Sequence, residues 1–287
     1  MRTVRRLASL AVAALVLTAC SSTASQDSLR PAGPNAESIH DLFIPVLWIA
    51  AIIFVVVEVA LVAFAIRFRH RAGRDTIPPQ VHGNPRLEIA WTILPALILA
   101  GVAVPTVATI FDLKRDPGPT ALRVNVLAHQ FWWEFDYEAS DIITANELHI
   151  PVDTPVLITL CGAGNGYGGI PVPSPCQPGG AEGPQPAGVG YDVIHSFWVP
   201  QLAGTQDAVP GRANTLLIEA SEPGTYSGQC KEFCGLSHAY MRFRVVAHTQ
   251  ADYDRWLANQ RMDAVAPTDG SLAARSEEHT SELQSRL

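Results

Sequence analysis

Two uninterrupted apolar stretches, Leu42–Ile66 and Leu87–Phe111, constrain what the first part of this 287-residue chain can become. Each is long enough to cross a bilayer as a helix, a structure that satisfies its backbone polar groups internally. The first runs into RFRHRAGR, and the segment from Arg67 to Arg86 carries five arginines and one aspartate. A basic excess of this kind stays on the cytoplasmic side. The pattern therefore predicts a hairpin with its N-terminus outside, its basic loop inside and everything after Phe111 outside. Pro95 and Pro105 are expected to kink the second span, which neighbouring helices can accommodate. Two acids stand out. Glu58 lies within the first span, where an ionisable group must face a partner or water rather than lipid. Glu88 lies at the cytoplasmic mouth of the second, where an acid suits a helix N-terminus.

Ahead of the hairpin, Met1–Cys20 joins Arg2, Arg5 and Arg6 to an apolar run through Leu17. This reads as a secretory signal over residues 1–19. Its ending resembles the lipobox of bacterial lipoproteins, which implies cleavage before Cys20 and lipidation of that cysteine. Residues 20–38, rich in Ser, Ala and Pro, are expected to be a flexible linker, with the hairpin occupying 39–111.

From Ala121 the pattern changes to short β-rich runs between glycines and prolines. Strands are expected at Leu122–His129, Phe131–Tyr137, Glu147–Pro151, Pro155–Cys161, Asp192–Pro200, Asn214–Ala220, Thr225–Gln229 and Met241–His248. Runs of this length and spacing predict a β-sandwich over 112–263. In FWWEFDYE, Phe131, Trp133, Phe135 and Tyr137 share one face and read as core. Trp132, Glu134, Asp136 and Glu138 share the other, an indole among three carboxylates. Thr249 and Asp252 form a capping-box pattern for a terminal helix over Gln250–Met262. Tyr253, Trp256 and Leu257 make its apolar face, suited to packing on the sandwich.

The chemistry concentrates in GQCKEFCGLSHAYM, Gly228–Met241. Cys230, Cys234, His238 and Met241 supply two thiolates, an imidazole and a thioether. Soft donors of this kind favour copper. A Cys2His2 zinc site is the alternative, although zinc has no use for the thioether. A single blue-copper site needs only one cysteine, whereas two can bridge two ions with a histidine capping each. The second histidine is expected to be His195 in DVIHSFWVP, on a strand where Val193, His195 and Phe197 share a face.

DVIHSFWVP, VPGRANTL and PGTYSGQCKEFCGLSHAYMRF together resemble subunit II of the haem–copper cytochrome c oxidases. The resemblance implies a membrane α-helical hairpin followed by an all-β cupredoxin-like Greek-key sandwich. It implies that Cys230 and Cys234 bridge a dinuclear copper centre, CuA, with His195 and His238 as terminal ligands. Met241 and the Glu232 carbonyl would be weak axial donors, and the Glu232 carboxylate would hold a magnesium ion shared with subunit I. Quinol-oxidising relatives lack the thiolates, so the intact set points to cytochrome c as donor. LEIAWTILPA resembles the family motif in which the glutamate, here Glu88, marks the entrance of a proton pathway into subunit I. The family often places Trp directly after a His-Gln pair as the point where electrons enter. Here Phe131 follows His129 and Gln130, so alignment favours Phe131 and alternation favours Trp132. By resemblance, then, the chain passes electrons from cytochrome c to haem in subunit I and holds no oxygen-reducing site of its own.

Charge fits a basic partner. Asp112–Ala274 contains 18 Asp and Glu against 9 Lys and Arg. An acidic external domain attracts a basic protein such as cytochrome c in a salt-sensitive way, though solubility alone accounts for acidity as well. Residues 161–190 are a Gly- and Pro-rich insertion relative to the family, and Cys161 and Cys176 within it are expected to pair in an oxidising compartment. Residues 264–274 read as a linker, beyond which some bacterial relatives carry a fused cytochrome c domain. Residues 275–287 resemble an in-frame translation of a sequencing adapter and are set aside, which leaves the natural C-terminus expected elsewhere. Two rival readings are a copper-binding membrane lipoprotein without a catalytic role and the CuA domain of a nitrous oxide reductase-like enzyme. The hairpin and Glu88 weigh against the first, and the absence of a preceding propeller domain weighs against the second.

Overall fold

The structure, a computed structural model, describes residues 26–69, 83–162, 193–210 and 212–262. The signal segment, Cys20, Cys176, most of the 161–190 insertion and everything after Met262 lie outside the described residues. Two long helices open the described chain, α1 (Pro34–Arg67) and α2 (Pro85–Leu113). Both begin with Pro at the first helical turn, where its missing N–H costs nothing. Asn84 caps α2 by accepting a hydrogen bond from the Arg86 amide at 3.1 Å. Pro95 and Pro105 sit inside one continuous helix rather than dividing it. Both helices carry exposed apolar side chains almost throughout, as lipid-facing helices do. Glu58, midway along α1, is exposed, so water or a neighbouring chain must receive it.

At 1.5 Å per residue, α1 is roughly 50 Å long, against a hydrocarbon core of about 30 Å. Its first turns therefore stand clear of the bilayer, and there the structure departs from the expected linker. Residues before and within the first turn of α1 are strapped to the sandwich. The Ala32 amide donates to the Gln201 carbonyl at 2.7 Å, and the Ser221 amide donates to the Ala32 carbonyl at 2.9 Å. Asn35, 1% exposed, donates its side-chain amide to the Leu217 carbonyl. A Cβ on Gly33 would lie 1.8 Å from the Glu219 carbonyl oxygen. Only glycine permits that approach. Gly33→Val is therefore expected to lift the strap, at an overpacking cost of about 1–3 kcal/mol. Limited proteolysis in membranes should then cut between Gln26 and Asn35 faster than in the wild type; equal cutting would disprove the strap.

Among the described residues, ten strands follow in two five-stranded sheets: β1 (Leu122–His129), β2 (Trp132–Tyr137), β3 (Ile142–Ala145), β4 (Glu147–Pro151), β5 (Val156–Gly162), β6 (His195–Trp198), β7 (Thr205–Ala208), β8 (Asn214–Ile218), β9 (Gly224–Cys230) and β10 (Arg242–His248). One sheet has the order β3-β2-β1-β5-β8 and the other β4-β10-β9-β6-β7. Pairings β1/β5 and β4/β10 are parallel and the rest antiparallel. The alternation read in FWWEFDYE holds within β2: Trp133, Phe135 and Tyr137 are buried, while Trp132, Glu134 and Asp136 are half-buried on the other face. Phe131 falls outside the strand, in the two-residue turn that joins β1 to β2. The inner faces meet in an aromatic core. Trp133 meets Phe197 edge-on at 5.4 Å between ring centres, and Phe197 stacks on Phe243 at 4.4 Å. Tyr137 ties the sheets together, its hydroxyl accepting from the His149 amide and donating to the His149 carbonyl.

A second unit contains α3 (Gln250–Gln260), in which the Tyr253 and Trp256 rings stack at 5.6 Å. This helix is two residues shorter than expected.

Candidate metal centre

Cys230 ends β9, and Met241 immediately precedes β10, so the donor-rich run is the loop of a β9–β10 connection. Its base is closed by the Cys230 amide donating to the Met241 carbonyl at 3.0 Å. The Lys231 amide donates to the Ser196 carbonyl at 3.0 Å, which fastens the loop beside β6 and His195. Within the loop, Gly235 adopts φ +135°, a conformation that side chains rarely tolerate. A short helical turn, His238–Tyr240, returns the chain to Met241.

This geometry gathers the donors. The ligand atoms of His195, Cys230 and Cys234 all lie within 4.8 Å of one another, and all three residues are buried. The Cys230 sulfur is 3.9 Å from His195 Nδ1 and 3.3 Å from the Glu232 carbonyl oxygen. The Cys234 sulfur is 3.6 Å from His238 Nδ1 and 3.8 Å from the Met241 sulfur. Two ligands of one tetrahedral ion, bound at 2.0–2.3 Å, stand about 3.5 Å apart, so these separations have the scale of a shared coordination sphere.

Electrostatics agree with that reading. Burial, reinforced by nearby His129 and His238, lowers the His195 pKa to about 4, leaving the neutral imidazole that metals bind. Burial, and then the neighbouring Cys230 sulfur, push the Cys234 thiol up to about 12. Two adjacent buried thiolates therefore need cations to neutralise them. Two thiolates, two imidazoles, a thioether and a carbonyl are a soft set that fits copper.

The remaining expected residues fall around this centre or far from it. The Glu232 carboxylate is exposed on the loop, where it could reach a neighbouring chain. Glu88 lies in the first turn of α2, also exposed, at the opposite end of the hairpin from the sandwich. Cys161 is buried at the end of β5 and disulfide-bonded; Cys176, its expected partner, lies outside the described residues. Trp132 stacks on His129 at 4.2 Å, and His129 Nε2 faces a Glu134 carboxylate oxygen at 3.1 Å. Phe131 is the residue that reaches the donor loop: a Cβ on Gly235 would lie 3.0 Å from its ring tip. The contact was invisible in the alternation because Phe131 is not part of the strand. Gln130 also reaches the loop, donating its side-chain amide to the Cys234 carbonyl.

The chain matches two family profiles. Residues 188–248 match "Cytochrome C oxidase subunit II, periplasmic domain" and residues 22–109 match "Cytochrome C oxidase subunit II, transmembrane domain". Cytochrome c oxidase subunit 2 of Alkalihalophilus pseudofirmus is 35% identical over 273 residues, covering 93% of this chain and 72% of that one. The chain belongs to the cytochrome c oxidase subunit II family. Quinol oxidase subunit 2 of Bacillus spizizenii is 32% identical over 259 residues, covering 87% of this chain and 70% of that one. The solved periplasmic domain of cytochrome oxidase subunit II from Bradyrhizobium japonicum aligns over 51% of this chain and 97% of that chain, at 21% identity and a TM-score of 0.39. As a member of this family, the chain is a membrane-anchored oxidase subunit whose β-sandwich is a periplasmic domain with a copper centre.

Proposed function

We propose that this subunit accepts electrons from cytochrome c at a dinuclear copper centre, CuA, and passes them to haem in subunit I of a proton-pumping oxidase. The observation that carries the reading is that each of two neighbouring sulfurs has its own imidazole and its own weak donor within 4 Å. One tetrahedral ion cannot use six donors, whereas two ions sharing both sulfurs can. Cys230 and Cys234 would be the sulfurs that hold both ions, with His195, His238, Met241 and the Glu232 carbonyl supplying the remaining donors. Bound there, the copper pair would supply a one-electron carrier; the chain's own part is to hold the sulfurs and keep the His195 imidazole neutral. The outward-facing Glu232 carboxylate suits a magnesium ion shared with subunit I, and Glu88 suits the mouth of a proton path into that subunit. Lipidation at Cys20 adds a further tether to the membrane, and Cys161 pairs with Cys176.

Cytochrome c is favoured over quinol because the thiolates are intact and the outer face of β2 is acidic. Asp136 sits there close enough to Glu134 and Asp141 for their charges, after burial itself, to raise its pKa. A basic partner relieves that repulsion. Titrating the full-length protein with copper tests the proposal. Two equivalents, with an EPR signal from one electron shared by two coppers, are expected; one equivalent, or a preference for zinc, would refute it.

A further inference from the structure

Gln130 and Phe131 form the two-residue tip of the β1–β2 hairpin, between the paired residues His129 and Trp132. Both side chains of that tip meet the donor loop at one place. Gln130 donates its amide to the carbonyl of Cys234 across 104 positions of sequence. Phe131 and Gln130 also fill the space next to Gly235, where an added Cβ would stand 3.0 Å from Gln130 Nε2 and from the Phe131 ring tip. Gly235 turns the chain immediately after Cys234 with a positive φ and brings no side chain of its own to this turn. Beyond the loop's own His238 amide on the Gly235 carbonyl, side chains from the other sheet reach it here.

We propose that Gln130 is a positioning residue for the copper loop, its amide fixing the Cys234 carbonyl and thereby the direction in which the Cys234 sulfur points. The proposal rests on the reading of Cys234 as a copper ligand. Peptide groups next to a thiolate ligand are held from outside because a ligand free to swing gives up its metal more readily, and loss of such outer partners commonly costs about 10–100-fold in affinity. The arrangement also makes the hairpin tip and the loop one mechanical body.

The test uses the copper-loaded full-length protein and its Gln130→Glu and Gln130→Leu variants. Glu keeps the size and reach of Gln but presents an acceptor to the Cys234 carbonyl, and Leu removes the donor without adding charge. Copper release into excess chelator is expected to run at least about tenfold faster in Gln130→Glu, with a smaller acceleration in Gln130→Leu. The hyperfine pattern of the bound copper should change in both, while thermal unfolding of the metal-free chains stays close to wild type. A Gln130→Glu protein with wild-type release and spectrum overturns the proposal, even if Gln130→Leu fails to fold. If the wild type binds a single copper, the dinuclear reading falls, and the release comparison on that one ion still decides the role of Gln130.

Discussion

Cys234→Ser is expected to empty the centre of its paired copper and abolish electron uptake from cytochrome c, and Cys230→Ser to do the same. Serine has nearly the shape of cysteine, but its hydroxyl holds its proton far more tightly and its oxygen is a harder donor. Burial and the neighbouring sulfur already raise the Cys234 thiol to about 12, so ionisation at this site depends on the metals themselves. A single remaining sulfur cannot bridge with a partner, so the loss should exceed the roughly 10–100-fold that follows removal of an outer-shell hydrogen bond. Each cysteine lies at the end of β9 or in the loop beyond it, so circular dichroism should show the sandwich intact. A Cys234→Ser protein that still binds two coppers with a shared electron would rule out bridging by Cys234.

Much of this site was legible because its donors are close in sequence. Cys230, Cys234, His238 and Met241 lie within twelve residues, and a short loop cannot separate them widely. His195 was singled out by its place on a strand ahead of the cysteine-rich loop; the strand is shorter than expected, His195–Trp198, so Val193 precedes it, and His195 and Ser196 are both buried. What escaped the sequence was contact between distant segments. Gln130 carries no pattern that marks it as a partner of Cys234, since a side-chain hydrogen bond to a carbonyl leaves no periodicity. The strap around Ala32–Asn35 was read as linker because its composition is poor in apolar residues, yet it is held by backbone hydrogen bonds and a glycine, which composition does not weigh. The strands that were missed, β3 and β7, are four residues long and lie at the edges of their sheets. Thr-Gln-Asp-Ala in β7 is too polar to read as a strand, but an edge position needs little apolar surface. The hairpin was legible for the opposite reason, since lipid demands apolar residues along its whole length.

If electrons enter at this hairpin, its two aromatic residues are placed for two roles that the sequence could not divide. Trp132 shares the acidic outer face with Glu134 and Asp136, where a basic protein would dock, and it stacks on His129. Phe131 instead meets the copper loop at Gly235, next to Cys234. Electron tunnelling weakens steeply with distance, so the aromatic ring in contact with the loop should govern the transfer step, and the ring on the acidic face should govern docking. Phe131→Ala is therefore expected to slow transfer within the cytochrome c complex by at least about tenfold, a barrier change near 1.4 kcal/mol, with docking little altered. Trp132→Ala should mainly raise the apparent KM and change its dependence on salt, because the face it belongs to acts through charge and encounter. The copper spectrum should survive both substitutions, since neither residue supplies a donor. Flash-induced transfer measured at saturating and at limiting cytochrome c, across a range of ionic strength, resolves the two steps. If Trp132→Ala slows the transfer step while Phe131→Ala leaves it at the wild-type rate, the contact with Gly235 is packing alone and electrons enter through the His129–Trp132 stack.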